Sequence, residues 1–199
     1  MSAGRLALAL ALVLACAPPA GAQAGPPGRD NVASATTETD GSHVSDFAWN
    51  VTQQRGGDVE ELNSATATAQ CTDCRATAIA FQIVLVSGTP QTLAPHNRAV
   101  AVNDQCTRCV VEAEARQFVR VVDQPVRLTA AGREELASVR QDLRTLTGED
   151  LSPADLHDAV ERDEARVQAV LAGDLVPQSG TSGHVDVLQA RVLQAEDAN

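Results

Sequence analysis

The residues best suited to chemistry are four cysteines in two matching groups, Cys71-Thr72-Asp73-Cys74 and Cys106-Thr107-Arg108-Cys109. Two sulfurs three positions apart can close a small disulfide ring or supply half of a tetrahedral metal site. At the start of a helix, such a pair can also exchange disulfides, because the helix end lowers the thiol pKa. Two pairs together hold enough sulfur for two disulfides or for one all-cysteine zinc site.

Which chemistry applies depends on the compartment. Residues 1–24 read as an export signal, with Arg5 as the n-region charge and Leu6 to Ala15 as a short apolar h-region. That run is shorter than the roughly 20 residues of a membrane span, and no other stretch is apolar enough to cross a bilayer. Small residues around Ala22 and Ala24 offer cleavage sites. Cys16 follows Val13-Leu14-Ala15, which is close to a bacterial lipobox, so a lipid anchor at Cys16 is the alternative to release. Either route places the mature protein outside the cytoplasm, secreted or associated with the cell envelope, where thiols meet oxidants and disulfides are the expected state.

The four cysteines allow three pairings. Pairing across the two groups closes loops of roughly 33–39 residues and contributes on the order of 3–4 kcal/mol each in the chain-entropy account. Local pairing, Cys71 with Cys74 and Cys106 with Cys109, closes very small rings. The expectation is therefore cross-pairing, with local pairing as an alternative. A zinc site of Cys71, Cys74, Cys106 and Cys109 is the main rival, although its 31-residue gap exceeds the usual ribbon spacing of roughly 15–20. Thiol–disulfide exchange is a third reading. Against it, no aromatic precedes either group, and the Thr-Asp and Thr-Arg spacers are not those of familiar oxidoreductases.

The groups sit inside a repeat. Aligning Cys71 with Cys106 sets CTDCRATAIAFQIVLV over CTRCVVEAEARQFVRV, with eight identical positions: Cys, Thr, Cys, Ala, Ala, Gln, Val and Val. Upstream, Asn63-Ser64-Ala65-Thr66-Ala67 matches Asn97-Arg98-Ala99-Val100-Ala101 after a one-residue gap. This is an internal duplication with a period of 35 residues. Two copies are too few for a solenoid and suggest one pseudo-symmetric domain. The N-x-A-x-A segments alternate and suit strands. The Ala- and Glu-rich run after Cys109 reads as helix, whereas the run after Cys74 is heavy in Ile and Val and could pass for a buried strand; equivalence of the units favours helix for both.

The remaining elements follow from punctuation and period. Residues 25–42 are rich in Gly, Pro, Ser and Thr and read as a disordered linker. Residues 47–52 alternate like a half-buried strand, and the turn at Arg55-Gly56-Gly57-Asp58 predicts an N-terminal β-hairpin with the chain returning from Val59. Thr129 caps a helix carrying Leu136, Val139, Leu143 and Leu146. Ser152-Pro153 starts a second helix that ends near Gly173, which completes an αα-hairpin. The predicted fold is α+β: a duplicated strand–CxxC–helix domain over 43–127, a helical hairpin over 128–175 and a flexible tail over 176–199, whose end could form one marginal helix.

The pattern A-x-A-x-C-x-D-C-R-x-x-A-I-A-F-Q-I-V-L-V, followed by N-x-A-x-A-x-N-x-Q-C-x-x-C and Q-F-V, resembles a family of actinobacterial exported proteins with a paired CxxC framework. Thr39-Asp40-Gly41-Ser42 and the following Val44, Asp46 and Ala48 belong to the resemblance. Members are mostly of unknown function, and some are labelled peptide zinc metalloprotease proteins. This chain has no H-E-x-x-H motif and no set of membrane spans, so the resemblance implies an exported cysteine-paired module and no protease activity.

Composition narrows the partners. All 15 basic residues are arginine, and the net charge is −11 with no basic cluster. Nucleic acid and anionic lipid are disfavoured, because both need concentrated positive charge. The bias toward Arg over Lys fits a GC-rich bacterial genome. His157 and Glu161 stand at i, i+4 on a helix and could chelate a metal, but such a pair is more commonly a solvated face. His43, His96 and His184 have no carboxylate spacing that suggests catalysis. Neither a nucleophile elbow nor a phosphate loop is present. The sequence therefore predicts a non-catalytic binding or structural module with no cofactor, whose partner is a protein or a cell-envelope component. A structural zinc module and a thiol–disulfide or protease-accessory protein are the alternatives.

Overall fold

The structure, a computed structural model, describes residues 30–178 and 185–198. The predicted signal segment and Cys16 lie outside the described residues. The described residues are α+β and mostly sheet, with nine strands and two helices.

Six strands build the body. β1 (Asn31–Thr37), β3 (Leu62–Ala69) and β5 (His96–Asn103) pair in parallel in one sheet. β2 (His43–Val59), β4 (Arg75–Leu93) and β6 (Val110–Val122) pair in parallel in a second. The chain alternates between the sheets, so each successive strand pair is one coil of a three-coil parallel β-solenoid. Asn31 lies opposite Asn63 and Asn63 opposite Asn97, while Arg75 lies opposite Val110.

This architecture corrects four sequence expectations. The segment read as linker contains β1, the first strand of the solenoid. No N-terminal hairpin forms: β2 and β3 lie in different sheets, and β2 pairs in parallel with β4. The runs after both cysteine groups are strands, β4 and β6, and not helices. The predicted tail contributes β8 (Leu175–Pro177), paired with β7 (Val126–Leu128), and β9 (Val187–Ala198), which adds antiparallel to β6.

Burial on both faces explains why propensity misled. On β4, Ala76, Ala78 and Ala80 face inward to a lumen shared with Ala33, Ala35, Ala65, Ala67 and Ala113. The alternate residues Ile79, Phe81, Ile83 and Leu85 face outward onto the helices. A strand buried on both faces loses the polar alternation by which strands are usually recognised. The small alanines let the two sheets close on each other, and a valine cluster of Val59, Val84, Val86, Val119 and Val121 forms a separate packed group.

The helices α1 (Ala130–Leu146) and α2 (Pro153–Gly173) cover the outer face of the second sheet. Thr129 Oγ1 accepts from the Gly132 amide and Ser152 Oγ from the Asp155 amide, so both helices begin on side-chain caps. Leu136, Val139 and Leu143 of α1 and Leu156, Val160 and Val167 of α2 pack in one cluster with Phe81 and Phe118.

Candidate cysteine centre

The cysteines occupy one corner of the solenoid, where the chain passes from the first sheet to the second. In the second coil, β3 runs into Gln70 and Cys71-Thr72-Asp73-Cys74, then into β4. In the third, β5 runs into Asp104-Gln105 and Cys106-Thr107-Arg108-Cys109, then into β6. Gln105 is the additional residue behind the gap in the repeat. Thr72 and Thr107 form a parallel bridge, the Asp73 amide donates to the Thr107 carbonyl at 2.9 Å, and the Val110 amide donates to the Cys74 carbonyl at 3.0 Å. The two groups are thereby stacked, one coil upon the next.

A tight turn lies between the sulfurs of each pair. Asp73 (φ 56°) and Arg108 (φ 58°) both adopt the left-handed conformation, as does Gly41 (φ 67°) at the matching place in the first coil. Asp and Arg hold there a conformation that ordinarily favours glycine, and the stacked turns bind each other: the Arg108 guanidinium grips the Asp73 carboxylate. That ion pair holds Asp73 below the usual carboxylate range and raises Arg108.

Cys71 and Cys74 stand at disulfide distance, and so do Cys106 and Cys109. The close pairs are the local ones, not the expected cross-pairs. The reason is geometric: each turn folds its own two sulfurs together, with Cα atoms 6.1 Å and 5.9 Å apart, inside the usual span of a bridge. The two pairs also approach each other. Cys74 Sγ lies 3.1 Å from Cys109 Sγ and 3.7 Å from Cys106 Sγ, and all four sulfurs fall within 4.8 Å of one another. Cys71 and Cys74 are buried, while Cys106 and Cys109 are partly exposed.

The first coil carries a hydroxyl version of the same corner. Thr39-Asp40-Gly41-Ser42 stands where the later coils have C-T-x-C. Ser42 Oγ donates to the Thr39 carbonyl at 2.6 Å and also meets Thr37 Oγ1. Asp40 accepts from the Thr72 amide at 2.7 Å, and the Gly41 amide donates to the Thr72 carbonyl at 2.9 Å, so this turn caps the stack. This third copy carries no cysteine to mark it in the sequence. Its signal was Asn31-Val32-Ala33-Ser34-Ala35, a further N-x-A-x-A segment obscured by the polar composition around it.

His157 and Glu161 do not form an isolated chelating pair. His157 Nδ1 lies 3.1 Å from Glu114 Oε1 and its Nε2 3.4 Å from Glu161 Oε1. Glu114 belongs to a buried charge cluster under α2. There the Arg116 guanidinium, 1% exposed, meets Glu114 at 2.8 Å and Glu164 at 2.7 Å, and Gln194 of β9 donates to Glu164 at 2.7 Å. The cluster joins β6, α2 and β9.

Among the described residues, no helix is long and apolar enough to cross a membrane. No family model, curated protein or solved structure matches the chain.

Proposed function

We propose that the protein is an exported, non-catalytic binding or structural module, a short β-solenoid clamped at one corner by two disulfides, Cys71–Cys74 and Cys106–Cys109. The observation that carries this reading is the stacking of the two cysteine turns on consecutive coils. A solenoid coil is stabilised by its neighbours, and its corners are where the chain must change direction repeatedly. Fixing two successive corners covalently limits fraying where the chain turns from one sheet to the other. The N-terminal signal pattern supports work outside the cytoplasm, where such bridges persist.

The binding half of the reading has a candidate face. A groove of about 520 Å³ between β2 and α1 is lined by Trp49, Val51, Arg133, Arg140 and Arg144. Three arginines beside an aromatic ring, on a chain of net charge −11, suit an acidic protein or envelope component.

The test is intact mass spectrometry of the exported protein after alkylation without reductant. Two disulfides give a mass four hydrogens below the fully reduced chain and no alkyl label. Four alkylated thiols in the native exported protein would sink the clamp. Digestion between the cysteine groups separates local from crossed pairing, because only crossed bridges keep the two peptides linked.

A further inference from the structure

We propose that the same four cysteines, when reduced, form a binding site for one zinc ion, so that the solenoid corner exchanges two disulfides for one metal centre. This goes beyond the clamp: it assigns a ligand to the reduced state and makes the oxidation state of the corner decide metal occupancy.

Three observations carry it. The first is convergence. Equivalent positions on neighbouring parallel strands stand roughly 4.7–4.9 Å apart, and two stacked disulfides need approach no closer. Yet Cys74 Sγ lies 3.1 Å from Cys109 Sγ and 3.7 Å from Cys106 Sγ. The sulfurs lean toward a common point. A tetrahedral zinc with Zn–S bonds of about 2.3 Å spaces its sulfurs about 3.8 Å apart. One inter-pair distance nearly equals that value, the other is shorter, and no two of the four sulfurs are more than 4.8 Å apart; within each pair the Cα separations of 6.1 Å and 5.9 Å allow the sulfurs to part to it by side-chain rotation.

The second is stoichiometry. Only two of the three coils carry the cysteine turn, and the first has Thr39 and Ser42 in those places. Four sulfurs complete one closed structural zinc site with none left over. The third is the setting. The cysteines cluster with Ala69 and Ala76 and share a backbone stack pinned by Thr72–Thr107 bridging and by the Asp73–Arg108 pair. The site is framed on both sides by strands, which hold its ligands more rigidly than free loops would.

The exchange balances with a low-molecular-weight disulfide as oxidant. A zinc-bound thiolate attacks one sulfur of that disulfide, giving a mixed disulfide and one free thiolate. Its partner cysteine then displaces the second small thiolate and closes the protein bridge. Two molecules of oxidant convert four cysteine thiolates to Cys71–Cys74 and Cys106–Cys109, release four small thiolates and free the zinc.

The experiment uses the full mature chain, reduced and oxidised, titrated with cobalt(II) as a spectroscopic probe and then with zinc. The reduced chain is expected to bind one equivalent of cobalt with tetrahedral thiolate absorption, which one equivalent of zinc abolishes. The oxidised chain is expected to bind none, and Cys74→Ser to lose the absorption or weaken binding at least tenfold. Oxidised glutathione added to the zinc form should release the metal as thiols disappear. Circular dichroism reports whether the reduced chain stays folded. Refolding on zinc supports the site as fully as binding to a folded chain. A reduced chain that takes up no metal, folded or not, overturns it, as does binding that survives oxidation or the Cys74→Ser change. Alkylation of the untreated exported protein tests the clamp separately, so the two readings fail by different results.

Discussion

The side-chain amide of Asn63 donates to Asn97 Oδ1 at 2.7 Å, and Asn31 donates in turn to Asn63 Oδ1 at 2.7 Å. The ladder runs through all three coils. It also crosses the lumen: Asn63 Nδ2 reaches the Ala80 and Arg116 carbonyls at 3.1 Å, and Asn97 Nδ2 reaches the Ala115 and Leu193 carbonyls at 2.9 Å. The asparagines therefore fasten one sheet to the other where alanine side chains are too short to do so.

Replacing Asn63 by leucine removes a fully buried donor and strands its acceptors. The expected loss of unfolding free energy is about 2 kcal/mol, read from the midpoint of urea denaturation with an unchanged slope. An unaltered midpoint would show that the ladder is dispensable.

The alanine lumen sets a limit on side-chain volume. Ala78 is fully buried between Ala76 and Ala80. Ala78→Leu should destabilise by about 1–3 kcal/mol by forcing the sheets apart, whereas a leucine at exposed Val32 should be nearly neutral. Thermal melts of the two variants side by side decide whether the lumen is as tightly closed as described.

Arg116 balances Glu114 and Glu164 in a buried site. Arg116→Met leaves carboxylates without their buried cation and should cost about 3–5 kcal/mol. Making Glu114 and Glu164 apolar as well should recover much of that loss, since a buried ion pair is often no better than a hydrophobic replacement. A triple variant as unstable as the single one would contradict this account.

Burial raises the pKa of Glu112, with Arg75 opposing and Glu114 adding to the rise, and burial likewise raises Asp163 against the pull of Arg166. A carboxyl that holds its proton more strongly folded than unfolded favours folding below the unfolded pKa. That contribution is lost as pH climbs through the folded pKa. Stability from these two groups should fall as pH rises from about 4. Glu112→Gln should flatten that part of the profile and raise stability at neutral pH. Chemical denaturation at a series of pH values measures both effects.

Local bridges close rings of only a few residues, so removing one should cost less than a crossed bridge would. The chain-entropy account gives about 2 kcal/mol for Cys106→Ala/Cys109→Ala, against about 3–4 for a loop spanning the repeat. Denaturation of the double variant under oxidising conditions checks the magnitude.

Much of the corner was legible beforehand and much of the fold was not. The duplicated C-T-x-C groups, their 35-residue offset and the one-residue gap are written in residue identities, because the two cysteine turns repeat the same residue types at the same places in consecutive coils. The helix caps at Thr129 and Ser152 were equally local, each depending on one side chain and an amide three residues on. The strand β6 is not readable as a strand, because its polar alternation disappears when helices cover the face away from the lumen and its Ala- and Glu-rich stretch matches helix propensity; β4, whose Ile and Val suit a buried strand, takes the helical assignment only through the equivalence of the two units. β1 was hidden for the opposite reason: its small polar residues resemble a linker until Asn31 and Ala33 meet Asn63 and Ala65. Pairing of the sulfurs was also beyond the sequence, since a bridge across the repeat would stabilise more in the chain-entropy account while the left-handed turns at Asp73 and Arg108 bring the near sulfurs together. Residue types alone thus determined that four sulfurs belong to one repeated unit. Only tertiary structure decided that they meet at one point, because strand register and turn geometry, not spacing along the chain, set the distance between side chains in successive coils.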